Sequence, residues 1–340
     1  MRRRDRVMYN IIKASDEEKQ ILFQNTAEKM KMHPAIIEKD FWVVALLDYL
    51  FHICPWKHAF TFKGGTSLSK GYQLIKRFSE DIDLILDWRV LGYGENEPWE
   101  ERSKSKQEQF NKEANQKAEI FLREQLLPVL QKELSEYFSI EANVYIDEDD
   151  AQTINFQYPQ LYTNQSILQV VRLEIGALAA WTPAASVSIQ SYVAECYGDI
   201  FQKKTTEILT VRPERTFWEK ATILHHEANR PENSLMPSRY SRHYYDLYCM
   251  LNSGVKETAL KNIDLLYKVV EFKQKFYPRN WAHYEDAKPG TLKLCVPEYR
   301  ITELEKDYQQ MKEMLYGNIP EFGTILNDIR ILEKAINQIK

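Results

Sequence analysis

The chain opens with a helical rhythm and changes to a strand rhythm at one stretch. Residues 5–32 are mostly polar, with Ile11, Ile12, Ile21, Leu22 and Ala27 at helical spacing, so a leading helical layer is expected. Behind Pro34, the positions Ile37, Phe41, Val44, Leu47 and Leu50/Phe51 trace one stripe and predict a strong helix from Ala35 to about Phe51. Its triple Glu38-Lys39-Asp40 reads as a solvated or salt-bridged turn, with a supporting role beside a site as the sharper option. At Phe60 the period becomes two. Phe60 and Phe62 alternate with polar neighbours, as in a half-buried strand. Gly64 and Gly65 then mark a tight turn, and Leu68, Tyr72 and Ile75 predict a following helix capped by Thr66 or Ser67. A second strand places Ile82, Leu84 and Leu86 on one face and Asp81, Asp83 and Asp87 on the other.

The polarity pattern then loosens. Gly92, Gly94 and Pro98 mark a loop, and the polar run from Lys104 reads as a solvated helix passing into an amphipathic segment, Ala118 to Leu134. Strands are expected at Ala142–Asp147, Thr153–Tyr158 and Leu168–Gly176. In the last of these Glu174 and Arg172 alternate with Val171, Leu173 and Ile175, and Glu174 taken alone reads equally as a strand-edge acid salt-bridged to Arg172. Pro183 and the small residues to Ser188 read as a loop, and from about residue 195 the pattern is helical. Pro213 opens a helix with Phe217, Ala221 and Leu224 inward and Lys220 at the stripe's edge. A further helix, Arg239 to Leu251, aligns Arg239, Arg242, His243, Asp246 and Met250 on one face. The expectation is an α+β fold with a mixed sheet, divided into residues 1–195 and a helical domain, 196–340.

Composition narrows the class without naming a chemistry. The 340 residues are 44% hydrophobic and 28% charged, ordinary for a globular protein with room for two domains. The formal charge of −4 excludes a broad electrostatic nucleic-acid coat, so RNA contact would need a local basic patch. Lys63, Lys70, Lys76, Arg77, Lys203, Lys204, Arg212 and Arg215 are expected to form such a rim. Cys54, Cys196, Cys249 and Cys295 have no metal-ligand spacing and point to a reducing compartment. The start, Met1-Arg-Arg-Arg-Asp5, leads into polar sequence, not a signal peptide's apolar core, and no run approaches the roughly 18 apolar residues of a membrane span. A cytoplasmic protein with no membrane partner is expected.

The chemistry gathers on the strand carboxylates. Two aspartates on one strand face repel, and a divalent cation is the usual reason to keep both. With Glu174 on a neighbouring strand, Asp81 and Asp83 would hold one or two Mg²⁺ ions. A pair about 3.5–4 Å apart suits in-line displacement at phosphorus. The turn Gly64, Gly65, Thr66 and Ser67 would hold a triphosphate by backbone N–H groups and hydroxyls. Lys220 and Arg242 would neutralise phosphate charge, and Asp246 would act on the acceptor or as a base. Asp246 alternatively forms a structural salt bridge to Arg242. His243 is open between a site role and a hydrogen bond within its helix, and His225-His226 lack metal-partner spacing and read as packing residues. A Gly-Gly pair alone is only a turn, and Asp-x-Asp alone occurs by chance. Their order, strand, glycine turn, helix, acidic strand, is the specific signal.

These residues resemble a known family. Lys63-Gly-Gly-Thr-Ser-Leu-Ser-Lys-Gly-Tyr72 and Arg77-Phe-Ser-Glu-Asp-Ile-Asp-Leu84 are similar to the motifs of AbiEii/AbiGii-type nucleotidyltransferase toxins, within the DNA polymerase β-like superfamily. Glu38-Lys-Asp-Phe-Trp42, Leu173-Glu-Ile-Gly176, Arg215-Thr-Phe-Trp-Glu-Lys220 and Ser241-Arg-His-Tyr-Tyr-Asp-Leu247 resemble further family segments, as does Trp281 to Gly290. The resemblance implies a nucleotidyltransferase mixed-sheet domain followed by a helical domain. It also implies Mg²⁺-dependent transfer of a nucleoside monophosphate from an NTP, with pyrophosphate released and the tRNA 3′ end as acceptor in the best understood relatives. A genetically paired antitoxin that need not touch the toxin is implied too, in toxin–antitoxin or phage-abortive-infection systems. A protein hydroxyl or small molecule as acceptor, or a non-catalytic nucleotide-binding module, are the competing readings.

Overall fold

The computed structural model describes residues 9–164, 167–179 and 182–339. The basic start, Met1 to Asp5, lies outside the described residues. The chain forms two compact units: residues 1–71 with 79–210, and residues 72–78 with 211–340. The first extends past the expected boundary at 195 because a strand there pairs into its sheet. Among the described residues no helix is long and apolar enough to cross a membrane.

The first unit is a seven-stranded mixed sheet with helices. Its strands are β1 (Phe60–Lys63), β2 (Asp81–Leu86), β3 (Asn143–Ile146), β4 (Thr153–Gln157), β5 (Val171–Gly176), β6 (Ala184–Gln190) and β7 (Thr205–Val211), in the order β3-β4-β5-β2-β1-β7-β6. β1 and β2 pair antiparallel, whereas β2–β5 and β1–β7 pair parallel, giving the expected α+β mixed sheet. Two strands depart from the sequence reading. The stretch expected as a loop forms β6, a mostly half-buried sheet edge, where small polar residues need no apolar alternation. β7 falls where helix was expected. It buries Thr206, Ile208 and Thr210 on one face, and two threonines disguise that face as polar.

The organising helix is Pro34–His52, buried on almost every side. Trp42 sits at its centre, edge-on to Phe41 and Phe138 at 5.4 and 5.6 Å and stacked on Tyr158 at 6.0 Å. Of the two readings of Glu38-Lys39-Asp40, the salt-bridged one holds for Lys39, paired with Glu80, and for Asp40, paired with Lys70, and the solvated one does not. All three are buried, since a helix enclosed all round has no wet face to give them, and each is satisfied by partners elsewhere in the unit. The helix Asp16–Met30 precedes it, started by a reciprocal Ser15–Glu18 capping box. The polar helix Lys104–Phe121 behaves as read, burying only Gln107, Phe110, Ala114, Ala118 and Phe121 along one stripe. The helix expected after the glycine pair stops early. A short turn at Gly64–Thr66 passes into one π-type turn, Ser67–Gly71, and Gln73 follows at φ +53°.

The second unit is helical: Pro213–Ala228, Ser241–Leu251, Val255–Lys261, Asp264–Phe276, Glu298–Met311 and Phe322–Asn337. Residues 72–78 join it in extended form. The Phe78 N–H donates to the Met314 carbonyl (2.8 Å), the Tyr316 N–H donates to the Lys76 carbonyl (3.0 Å), and Arg77 bridges to Leu315. Ile75, expected on a helix face, is buried in this segment.

Trp42→Ala should cost the first unit about 3–5 kcal/mol through lost contacts and a residual cavity. Denaturant melts of the two proteins measure it.

Candidate functional site

β1 ends at Lys63, which pairs with Asp83 across the antiparallel ladder. The next residue, Gly64, has φ +80°, and a Cβ there would lie 1.9 Å from Asp83 Oδ2. Only glycine meets both conditions. The Thr66 hydroxyl donates to the Asp81 carbonyl (2.6 Å) and the Ser67 hydroxyl to the Gly64 carbonyl (2.8 Å). Both side chains are fully buried. The Thr66 hydroxyl proton thus ties the turn to the acidic strand, and the Ser67 hydroxyl proton closes the turn on itself.

Register decides which carboxylates meet. β2 and β5 are parallel partners with Asp83 opposite Glu174 and Asp81 opposite Arg172. Residues two apart share a face, so Asp81, Asp83 and Glu174 lie on one face of adjacent strands, as expected. The Arg172 guanidinium lies 3.9 Å from Asp81 Oδ1 and 3.8 Å from Glu174 Oε1, and it donates to Asp147 at 2.8 Å. Burial, with the charges of Glu80 and Asp83, pushes the Asp81 carboxyl up to about 6. Its Oδ1 atom is buried with no hydrogen-bond partner. A carboxylate burdened by like charges, with an orphaned oxygen, fits a divalent cation.

Among the described residues, the one trio whose ligand atoms all fall within 4.8 Å is His283, Glu285 and Asp286, an exposed group the sequence reading did not single out. The ligand atoms of Asp81, Asp83 and Glu174 do not all fall within that distance. Exposed acidic groups of the first kind are common without a metal, and His283 carries no buried polar atom pointing to one.

The second unit builds a different cluster. Asp246 on the helix Ser241–Leu251 is fully buried and accepts from Arg77 through Nε (2.7 Å) and Nη2 (3.0 Å) and from Lys220 Nζ (2.7 Å). Lys220 Nζ also reaches His243 Nδ1 at 3.2 Å. An ammonium has only donors, so His243 accepts at Nδ1 and carries its proton on Nε2. Burial, then the neighbouring Lys220 and Arg242, hold His243 well below its usual range, leaving it neutral. Burial alone would raise the Asp246 carboxyl, but Arg77 and Lys220 outweigh it and hold the group far below the usual carboxylate range. Burial lowers Lys220 against the pull of Asp246.

This geometry corrects two expectations. A carboxylate shared by two buried cations has little basicity, so Asp246 is not placed as a base. Its partner is Arg77, not Arg242, which is exposed. The expected stripe also splits: Asp246 and Met250 face inward, while Arg239 precedes the helix at φ +58° and is exposed. The basic rim is largely spent inside each unit. Lys70 pairs with Asp40 (2.8 Å), Arg215 with Glu219 (2.9 Å) and Lys203 with Asp48 (3.5 Å). His225 packs as expected, donating from Nε2 to the His283 carbonyl and accepting the Lys293 N–H at Nδ1.

The family model described as "Nucleotidyl transferase AbiEii toxin, Type IV TA system" matches residues 46–328. A comparison with curated protein sequences found no match. Among solved structures, MenT4, a nucleotidyltransferase toxin from Mycobacterium tuberculosis, is similar at 15% identity and TM-score 0.45, covering 96% of this chain and 100% of that one. JHP933 from Helicobacter pylori is similar at 14% identity and TM-score 0.39, covering 93% and 92%.

Gly64→Ala should displace the Asp83 carboxylate and cost at least about 1–2 kcal/mol for the left-handed backbone alone. Melting curves report the cost, and the Asp83 carboxyl carbon shift reports the displacement. Asp246→Asn leaves two buried cations on a neutral partner and should cost about 3–5 kcal/mol. The folded carboxyl titrates below its unfolded value of about 3.9. Its stabilisation is therefore complete above that value and fades as pH falls. The stability gap between wild type and variant should stay constant between about pH 5 and 8 and narrow in stronger acid.

Proposed function

The chain belongs to the AbiEii family of nucleotidyl transferase toxins of type IV toxin–antitoxin systems, and from that premise we propose that it transfers a nucleoside monophosphate from an NTP to the 3′ end of tRNA, with Mg²⁺ held by Asp81, Asp83 and Glu174. The family implies an NTP substrate and an antitoxin partner; that the antitoxin need not contact the toxin is part of the proposal. The observation that carries the metal assignment is the Asp81 carboxylate, raised by burial and like charge, whose buried Oδ1 has no hydrogen-bond partner and lies 3.9 Å from the Arg172 guanidinium, on the face it shares with Asp83 and Glu174.

Two Mg²⁺ ions bound there would supply charge stabilisation for the attacking and leaving oxygens. The protein's own groups do the rest. Asp81, Asp83 and Glu174 hold the cation face, and the backbone from Gly64 to Ser67 orients the triphosphate, starting at a glycine whose place beside Asp83 admits no side chain. The acceptor hydroxyl oxygen bonds to the α-phosphorus as the α–β bridging bond breaks and pyrophosphate leaves. The hydroxyl proton leaves to solvent water as that bond forms. Lys220 and Arg242, in the second unit, are proposed as further phosphate-binding groups. Asp246 acts through Lys220, fixing the ammonium between its own Oδ2 and His243. Such chemistry depends on positioning and electrostatics more than on covalent participation.

The test is incubation of the purified protein with each labelled NTP, Mg²⁺ and total tRNA. Label should enter tRNA at its 3′ end, and Asp83→Ala should lower transfer by at least about 10²-fold. Label in protein or a small molecule would move the acceptor and defeat the tRNA assignment. Unchanged transfer by Asp83→Ala would defeat the metal site.

A further inference from the structure

Three consecutive charges on the buried helix Pro34–His52 leave it in different directions, because successive helical residues project about 100° apart. Glu38 accepts the backbone N–H groups of Leu161 (2.7 Å) and Tyr162 (3.0 Å). Lys39 Nζ donates to Glu80 Oε2 and to the Leu168 carbonyl, both at 2.8 Å. Asp40 takes the Lys70 ammonium at 2.8 Å and the Tyr192 N–H at 2.7 Å.

The partners of Lys39 and Asp40 have a common address. Glu80 immediately precedes Asp81 at the start of β2. Leu168 stands just ahead of β5, the strand of Glu174. These strands run parallel, so their leading ends lie side by side, and one ammonium holds both. Lys70 lies in the π-type turn that continues from the glycine pair. Lys39 is wholly buried, and Asp40 nearly so.

We propose that Lys39 and Asp40 are positioning residues for the cation site: Lys39 sets the spacing of the two carboxylate strands, and Asp40 holds the glycine turn against Asp83. The inference rests on the reading of Asp81, Asp83 and Glu174 as metal ligands. Stability alone does not call for charges here, because well-packed apolar side chains commonly replace a buried ion pair without loss. Alignment does call for them. The tolerance between Gly64 and Asp83 is under a methyl group's width, and a displacement of about 1 Å at a reacting centre can cost about 10²-fold in rate.

The experiment replaces the Lys39–Glu80 pair by apolar groups of similar volume, Lys39→Met with Glu80→Leu. It reads the melting temperature, Mn²⁺ binding by electron paramagnetic resonance, and kcat in the transfer assay. The expected result is near-wild-type melting with Mn²⁺ affinity weakened about 10–100-fold, the range for residues that orient metal ligands, and with kcat reduced. Lys39→Arg, which keeps the charge, should restore part of both. A folded double variant with wild-type Mn²⁺ affinity and kcat overturns the proposal. Should the double variant not fold, Asp40→Leu with Lys70→Met reads the other half by the same measures. Failure of both pairs to fold makes the role structural and also overturns it. Wild-type protein that binds no Mn²⁺ sinks the metal reading itself, a result distinct from a wild type that binds while the variant binds equally.

Discussion

The Gly64 backbone passes so near the Asp83 carboxylate that a methyl group would sit 1.9 Å from Oδ2, and the first unit is arranged around that approach. Antiparallel pairing of β1 with β2 brings Lys63 level with Asp83, so the turn must begin at the carboxylate. The Thr66 hydroxyl then fastens the turn to the Asp81 carbonyl. Parallel pairing of β2 with β5 sets Glu174 beside Asp83. Each step is local, but together they collect negative charge on one sheet face. That charge is tolerable because Arg172 stands between Asp81 and Glu174 and because the face suits a cation.

Holding such a face requires a rigid frame, and the frame is ionic as well as apolar. The helix Pro34–His52 packs Trp42 into an aromatic cluster and also carries charges into the interior. Asp48 on the same helix accepts from Tyr137 (3.0 Å) and Thr206 (2.9 Å), linking it to a further helix and to β7. A buried charge without its partner is costly, so each such contact admits one arrangement where a hydrocarbon contact would admit several. That selectivity suits elements that must align carboxylates with a backbone turn.

What the sequence revealed follows from which features have a period. The acidic strand, the helix behind Pro34 and the alternation around Glu174 were readable because each repeats at two or at three to four residues, and the turn because two glycines interrupt that pattern. β7 was not, since Thr206 and Thr210 look polar but are buried on a pleated surface. β6 was not, since an edge strand needs little hydrophobic patterning. Burial of Glu38, Lys39 and Asp40 was invisible because their partners lie from 30 to more than 150 residues away, and charge alone reads as solvated. Arg77 as the partner of Asp246, 169 positions off, was hidden for the same reason. The site's residue types were legible; the wiring that orders them was tertiary.

The Asp246 cluster shows why that wiring changes a chemical role. Read along the helix, an aspartate three residues after a histidine and four after an arginine invites a base or a local salt bridge. In the folded unit two cations share its one negative charge, and the nearby histidine is neutral. Asp246 is thus held by two cations in a buried setting, where a charge without a partner is expensive. Burial accordingly lowers Lys220, and an arriving anion would relieve that cost. A carboxylate held by two cations does not suit removal of a proton; what the contacts of Asp246 do is hold Lys220, which His243 holds from its other side.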